Sequence, residues 1–168
     1  MSWFSFLTWP VRPRRATPRT LRLGNEPNRK RRHVRPRMEE LECRNLPSTL
    51  TVLNNADSGL GSLRDTIAAA QNGDTIIFDP SLDGQTISLT SGELALNQSL
   101  SIRGPGADQL TISGNNMSRV FDLTGGGANV TIANLTIANG LAAQGGGIEN
   151  AASNLTLNAV TLSNDQAV

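Results

Sequence analysis

The chain has a single cysteine, Cys43, among its 168 residues, so no internal disulfide can form. It has one histidine, His33, and beyond residue 44 it has neither histidine nor lysine. That removes an imidazole base, a lysine base and any Cys/His metal set from the greater part of the molecule. No apolar run approaches the ~18 residues of a membrane helix. The apolar opening from Trp3 to Trp9 has no basic residue ahead of it, stops at Pro10 and is shorter than an ordinary signal core. Cys43 does not suit lipid attachment either, because Glu40 and Glu42 stand where a lipoprotein cleavage box takes small or apolar residues.

What charge there is divides sharply. Residues 1–44 hold 12 of the 15 Lys and Arg against four acids, a balance of +8, and residues 45–168 hold three Arg against ten acids, a balance of −7. The first segment is rich in Arg and Pro and has almost no periodic apolar pattern. It cannot bury enough surface to offset its ordering entropy, so residues 1–46 are read as a disordered leader. Its run Arg29-Lys-Arg-Arg-His-Val-Arg-Pro-Arg37 could neutralise phosphates. No aromatic residues are interleaved with the arginines and no nucleic-acid fold follows, so nucleic acid is set aside as a partner. Near Pro47 the composition turns to Thr, Asn, Gly, Leu and Ile and stays there.

The second segment repeats. Val130-Thr-Ile-Ala-Asn-Leu-Thr-Ile-Ala-Asn-Gly140 returns 25 positions later as Leu155-Thr-Leu-Asn-Ala-Val-Thr-Leu-Ser-Asn-Asp165. A fixed period of this size is the signature of a solenoid. The strands lay out as coils of three: 75–78, 86–89 and 93–96; then 99–102, 110–113 and 120–123; then 130–132, 135–138 and 146–149. A fourth coil begins with 155–157 and 160–163. Each strand alternates an inward Leu, Ile or Val with an outward Thr, Ser or Asn, which suits a sheet with one buried face. Coils stacked at ~4.8 Å make every strand parallel to the one above it. The expected fold is therefore all-β: a right-handed parallel β-helix over residues 47–168 with a short N-terminal capping α-helix.

That helix is predicted at about 62–72, with coils from about 75. Ser62 is a good N-cap with Asp65 three residues on, Leu63, Ile67 and Ala70 share one face, and Asn72-Gly73 supplies the stop. Laid across the open end of a β-coil, it hides the core and the unpaired strand edge. A first strand is expected at 49–53, ahead of it. Asn139 and Asn164 recur one coil apart after a strand, and Asn129 and Asn154 recur before one. Stacked asparagines can hydrogen-bond up and down the stack and tolerate a left-handed backbone. Gly125-Gly-Gly127 and Gly145-Gly-Gly147 lie 20 positions apart, so they are expected to serve different turns. Neither is followed by the helix and lysine of a phosphate cradle.

Several of these segments together resemble a known group. Gly59-Leu-Gly-Ser-Leu-Arg-Asp-Thr-Ile67, Asp74-Thr-Ile-Ile-Phe-Asp-Pro80, Ile102-Arg-Gly-Pro-Gly-Ala-Asp-Gln-Leu-Thr-Ile-Ser-Gly-Asn115 and Gly145-Gly-Gly-Ile-Glu-Asn150 are similar to the start of bacterial right-handed β-helix surface proteins of the polymorphic outer-membrane protein passenger type. The S-L-R-x-x-I element matches that group's opening motif, with Gly61 where the group commonly has cysteine. Arg37-Met-Glu-Glu-Leu-Glu-Cys-Arg-Asn-Leu-Pro-Ser48 resembles the basic leader with an L-E-x-R-x-L-x-S element that opens many large secreted or surface proteins in bacteria with unusual envelopes. The resemblance implies an exported, passenger-like or adhesin-like scaffold, extracellular or at the cell surface or outer membrane.

The same fold hosts pectate lyases and polygalacturonases, so fold alone does not decide function. A glycosidase needs paired carboxylates, and Asp79, Asp83, Glu93, Asp108 and Asp122 fall in turns or at strand ends without a repeated geometry. A β-helix lyase usually relies on a Lys or Arg base. Arg64 lies in the cap helix; Arg103 and Arg119 read as structural or solvent-facing, the alternative being that they meet Asp122 on a binding face. Calcium at Asp79 and Asp83 lacks the repeated G-G-x-G-x-D pattern. The five Asn-x-Ser/Thr triplets at Asn97, Asn116, Asn129, Asn134 and Asn154 follow from Thr-rich strands flanked by turn asparagines.

No catalytic, cofactor-binding or metal-binding residue is assigned, and no cofactor is expected. The expected role is a non-catalytic surface scaffold that meets carbohydrate or another surface protein. The alternative is a fragment of a polysaccharide-degrading β-helix enzyme whose active site is not in this chain. Gln166-Ala-Val168 falls where the preceding coil has Leu141-Ala-Ala-Gln, so the fourth coil is expected to lack its third strand and its polar cap. The chain is accordingly read as truncated, with an open last coil that is a template for self-association.

Overall fold

The structure is a computed structural model and describes residues 46–168. The leader, with Cys43, His33 and the arginine run, lies outside the described residues except for its last position.

The alternation of inward aliphatic and outward hydroxyl residues produces parallel sheets wound into a β-helix. One long face carries β1 (Thr49–Val52), β2 (Asp74–Phe78), β5 (Leu100–Arg103) and the first halves of β8 (Asn129–Ala138) and β11 (Asn154–Ser163), each parallel to the next. The second face stacks β3 (Gln85–Ser88), β6 (Leu110–Ser113) and the second halves of β8 and β11. The third is built of short strands, β4 (Leu94–Ala95), β7 (Phe121–Asp122) and β10 (Ile148–Glu149), again all parallel. Inside, Ile76, Ile102 and Ile132 stack on one face and Ile87, Ile112 and Ile137 on the other, all fully buried. Phe121 and Leu94 close the third side of the same core.

The expected strands are present with three differences. β1 is a rung of the first face, pairing Thr49 with Thr75 through Val52 with Phe78, so the stack begins one level before the cap helix. β8 and β11 each run unbroken round a corner where two strands were expected. A single left-handed residue, Asn134 at φ 57° and Ala159 at φ 52°, turns the chain without interrupting the ladder. The segment after the fourth coil's second face also forms a short pair: β12 (Gln166–Ala167) runs parallel to β9 (Leu141–Ala142), in the register expected from the repeat. No third-face strand lies above β10 among the described residues.

The helix α1 (Leu63–Ala69) is shorter than expected. Ser62 caps it, its Oγ accepting the Asp65 amide at 3.2 Å. It stops at Ala70, which is extended, because downstream groups offer the chain other partners. The Asp74 carboxylate accepts the Gln71 amide at 2.8 Å, and the Gln98 side chain donates to the Ile67 and Ala70 carbonyls at 3.0 and 2.8 Å. Leu63, Ile67 and Ala70 are buried in the common core, as the capping role requires. Gly61, just before the helix, sits at φ 81°, a left-handed backbone that a cysteine would adopt only under strain.

Candidate functional site

Two surfaces carry organised polar chemistry. The first is the outside of the long face. In-register stacking places Thr49, Thr75, Ser101, Thr131 and Thr156 one above another, a hydroxyl row with one member per coil. The second long face repeats it with Thr86, Thr111, Thr136 and Thr161, although Thr136 spends its hydroxyl on the Ala107 carbonyl at 2.6 Å.

An amide ladder runs along the corner that leads into the first face. Asn154 Nδ2 donates to Asn129 Oδ1, the Asn129 amide donates to Ser99 Oγ, and the Ser99 amide donates to Asn72 Oδ1, each at 2.9 Å. The 129/154 pair was expected; Asn72 and Ser99, which extend it downward, carry no repeated residue type and were missed. At the opposite corner, Asn139 and Asn164 are both left-handed, with φ of 53° and 56°, but Asn139 Nδ2 donates to Ser113 Oγ at 3.2 Å instead of to its counterpart.

The second surface is a line of charge beside the third face. Arg64 on α1 forms an ion pair with Asp57 at 2.8 Å and donates to the carbonyls of Gly92 at 2.6 Å and Glu93 at 2.8 Å. Burial raises the Asp57 carboxyl, but hydrogen bonds from Ser91, Arg64 and Thr90 and the charge of Arg64 outweigh it and hold the group at about 2. Arg119 continues the line. It pairs with Glu93 at 2.7 Å and with Glu149, and donates to the carbonyls of Gln144 at 3.0 Å and Gly145 at 3.1 Å. Its side chain is only 13% exposed, and it joins three successive coils. A groove of about 300 Å³ lies alongside, lined by Arg64, Ile67, Ala68, Glu93 and Gln98 among others.

Arg119 therefore does not meet Asp122, which instead accepts from the Thr124 amide and hydroxyl, both at 3.0 Å. The other acids serve turns. Asp79 caps the 3₁₀ turn Pro80–Leu82 by accepting the Ser81 amide at 2.9 Å, and the Ser81 hydrogen bonds lower its pKa. Asp83 ends that turn, Asp108 accepts from Gln109 at 3.1 Å, and Arg103 is exposed. The two glycine triplets do serve different turns: the Gly127 amide bonds Ala152, whereas Gly146 and Gly147 present carbonyls to Val120 and Phe121.

Chemically, Glu93 and Glu149 share one guanidinium. A hydrolytic pair needs one carboxyl free to give a proton to a leaving group and another free to act on the sugar. The line is arranged as a clamp that locks coil to coil. Among the described residues no group of three His, Cys, Asp or Glu side chains converges as metal ligands. No protein-family model, curated protein or solved structure matches the chain.

Proposed function

We propose that the chain is a non-catalytic β-helix scaffold of the cell surface or extracellular space, which presents its hydroxyl row to carbohydrate or to another surface protein. The observation that carries this reading is the in-register row Thr49, Thr75, Ser101, Thr131 and Thr156 on a regular parallel face. Hydroxyls repeated at the ~4.8 Å coil spacing form a flat, uncharged array of donors and acceptors. Such an array suits a polymer that itself repeats hydroxyls. The Arg64–Glu93–Arg119–Glu149 line supports the reading by stiffening the stack at its side.

Retention of the full chain on an insoluble polysaccharide panel of cellulose, chitin, pectate and peptidoglycan tests it. The expected result is retention on at least one of them, weakened by the triple change Thr75→Val, Ser101→Ala and Thr131→Val at unchanged melting temperature, with no soluble sugar released. Release of reducing or unsaturated sugars would favour the polysaccharide-enzyme alternative. Retention indifferent to the triple change would defeat the binding face. Protease shaving of intact expressing cells tests location: digestion without lysis is expected, and full protection contradicts a surface position.

A further inference from the structure

The groove of about 300 Å³ between α1 and β4 exists because two of its side chains are methyl groups. Ala95 is exposed where the next two rungs of the third face carry Asp122 and Glu149, and Ala68, exposed on the helix, lines the same groove. Ile67 and Leu94, both buried, give it an apolar floor. Its two walls are tied together at both ends. Arg64 Nη1 donates to the Glu93 carbonyl at 2.8 Å, and Gln98 Nε2 donates to the Ile67 and Ala70 carbonyls at 3.0 and 2.8 Å.

These ties decide which polar atoms are left over. Both Gln98 contacts are to carbonyls, so they use the two protons of its amide nitrogen and leave Oε1 as a fixed acceptor. Glu93 Oε2 is held by Arg119 at 2.7 Å, which leaves its Oε1. Neither remaining oxygen has a hydrogen-bond partner among the described residues. The groove therefore presents a few placed polar atoms over an apolar floor, which is how small-molecule sites are built. A ligand there meets groups that are already ordered, so little of its binding is spent on holding them.

Two free acceptors call for a ligand that donates. An anion is opposed, because Arg64 gives its charge to Asp57 and its protons to Asp57, Gly92 and Glu93. A cation gains little, because the Glu93 charge is already matched by Arg119. Among the described residues no aromatic side chain lines the groove, so a flat ring has nothing to stack on. We propose that the groove holds one neutral sugar unit, its hydroxyls donating to Glu93 Oε1 and Gln98 Oε1 and its C–H face resting on Ala68 and Ala95. A hydroxyl also accepts, which suits the Asn97 amide at the same groove. The volume is at the lower limit of the ~300–1,000 Å³ range of ligand pockets, so it takes a single unit or a chain end. This site lies on the third face, apart from the hydroxyl row on the first, and does not rest on the reading of that row.

The test is a titration of the ¹⁵N-labelled full chain, followed by amide chemical shifts. The probes are glucose, galactose, mannose, xylose and N-acetylglucosamine, with glucosamine and galacturonate as charged counterparts. At least one neutral sugar should give saturable shifts centred on Ala68, Ala95 and Gln98, and should bind more tightly than either charged probe. Ala68→Leu and Ala95→Leu, both at exposed positions, fill the groove and should each weaken that binding several-fold at unchanged melting temperature. The triple change Thr75→Val, Ser101→Ala and Thr131→Val should leave the titration as it was, so this site and the hydroxyl row can fail separately. No saturable shift with any neutral sugar, tighter binding of glucosamine or galacturonate, a titration indifferent to both leucine variants, or its loss in the triple variant would each overturn the proposal.

Discussion

Ile132 is fully buried, while Leu157, stacked directly above it one coil later, is 42% exposed; Ile137 and Leu162 repeat the contrast at 0% and 54%. The opposite end behaves differently. Val52, on the first rung, is fully buried and Leu50, in register with Ile76, is partly buried, because α1 brings Leu63 and Ile67 into the same core. The residue types are alike at both ends, so burial in this fold is supplied by the next layer, whether coil or helix. Each coil completes the one before it, which is the behaviour of a quasi-one-dimensional stack.

The strongest way to break the comparison is to truncate equivalent positions on successive rungs. Ile132→Ala should cost about 2–5 kcal/mol, as for other fully buried aliphatic residues. Leu162→Ala, measured by urea unfolding, should cost well under ~2 kcal/mol, since little of it has left water. Equal costs would mean that the last coil is covered after all.

Arg119 is the next lever. Arg119→Ala leaves Glu93 and Glu149 facing each other without their shared cation and should cost about 1–3 kcal/mol, the range for hydrogen bonds to charged groups. Arg119→Lys should recover only part of it, because an ammonium cannot reproduce the fork that spans two carboxylates and two carbonyls. A smaller effect of opposite sign is expected at the corner. Ala159 holds the left-handed backbone that Asn134 holds one coil earlier. Ala159→Asn should stabilise by up to ~1 kcal/mol, because Asn tolerates this region better than other residues with a Cβ.

The two ends also titrate in opposite directions. Asp57, beside the cap, is held at about 2, below the ordinary 3.8, so its contribution is complete above 3.8 and is lost as pH falls toward 2. Asp57→Asn should flatten that acid limb of a stability-against-pH curve. Asp165, beside the open coil, is raised, chiefly by burial, against the lowering effect of the Gly140 amide at 2.7 Å. Its Oδ2 is buried without a partner among the described residues. A raised carboxyl destabilises the fold above its folded pKa, and that penalty disappears as pH falls through this value toward 3.8. Asp165→Asn should therefore raise the melting temperature slightly at neutral pH and leave it unchanged below the ordinary carboxylate range.

Much of this was legible because a strand's side chains alternate with period two and the coil repeats at 25 residues. Together these rules place Val130 under Leu155 and Asn129 under Asn154, and the structure has both pairs in register. The cap helix was legible from Ser62 and the spacing of Leu63, Ile67 and Ala70. The clamp was not. Its partners sit 26 residues apart from Glu93 to Arg119 and 30 from Arg119 to Glu149, because the turns between third-face strands differ in length. A search at coil-length separations for opposite charges would have found it. The first rung was hidden because the helix intervenes between β1 and the strand it pairs with, and nothing local to 49–53 reports that partner. The unbroken corners escaped for another reason: Asn134 reads as a turn, yet one left-handed residue bends a ladder without ending it.

The most direct test of the stacked, in-register β-helix is a methyl NOE experiment on the isotopically labelled chain. The account predicts contacts running from Ile102 to Ile132 to Leu157 on one face and from Ile112 to Ile137 to Leu162 on the next. Absence of the Ile132–Leu157 and Ile137–Leu162 contacts, with antiparallel Hα–Hα contacts between neighbouring strands of one coil in their place, would contradict it.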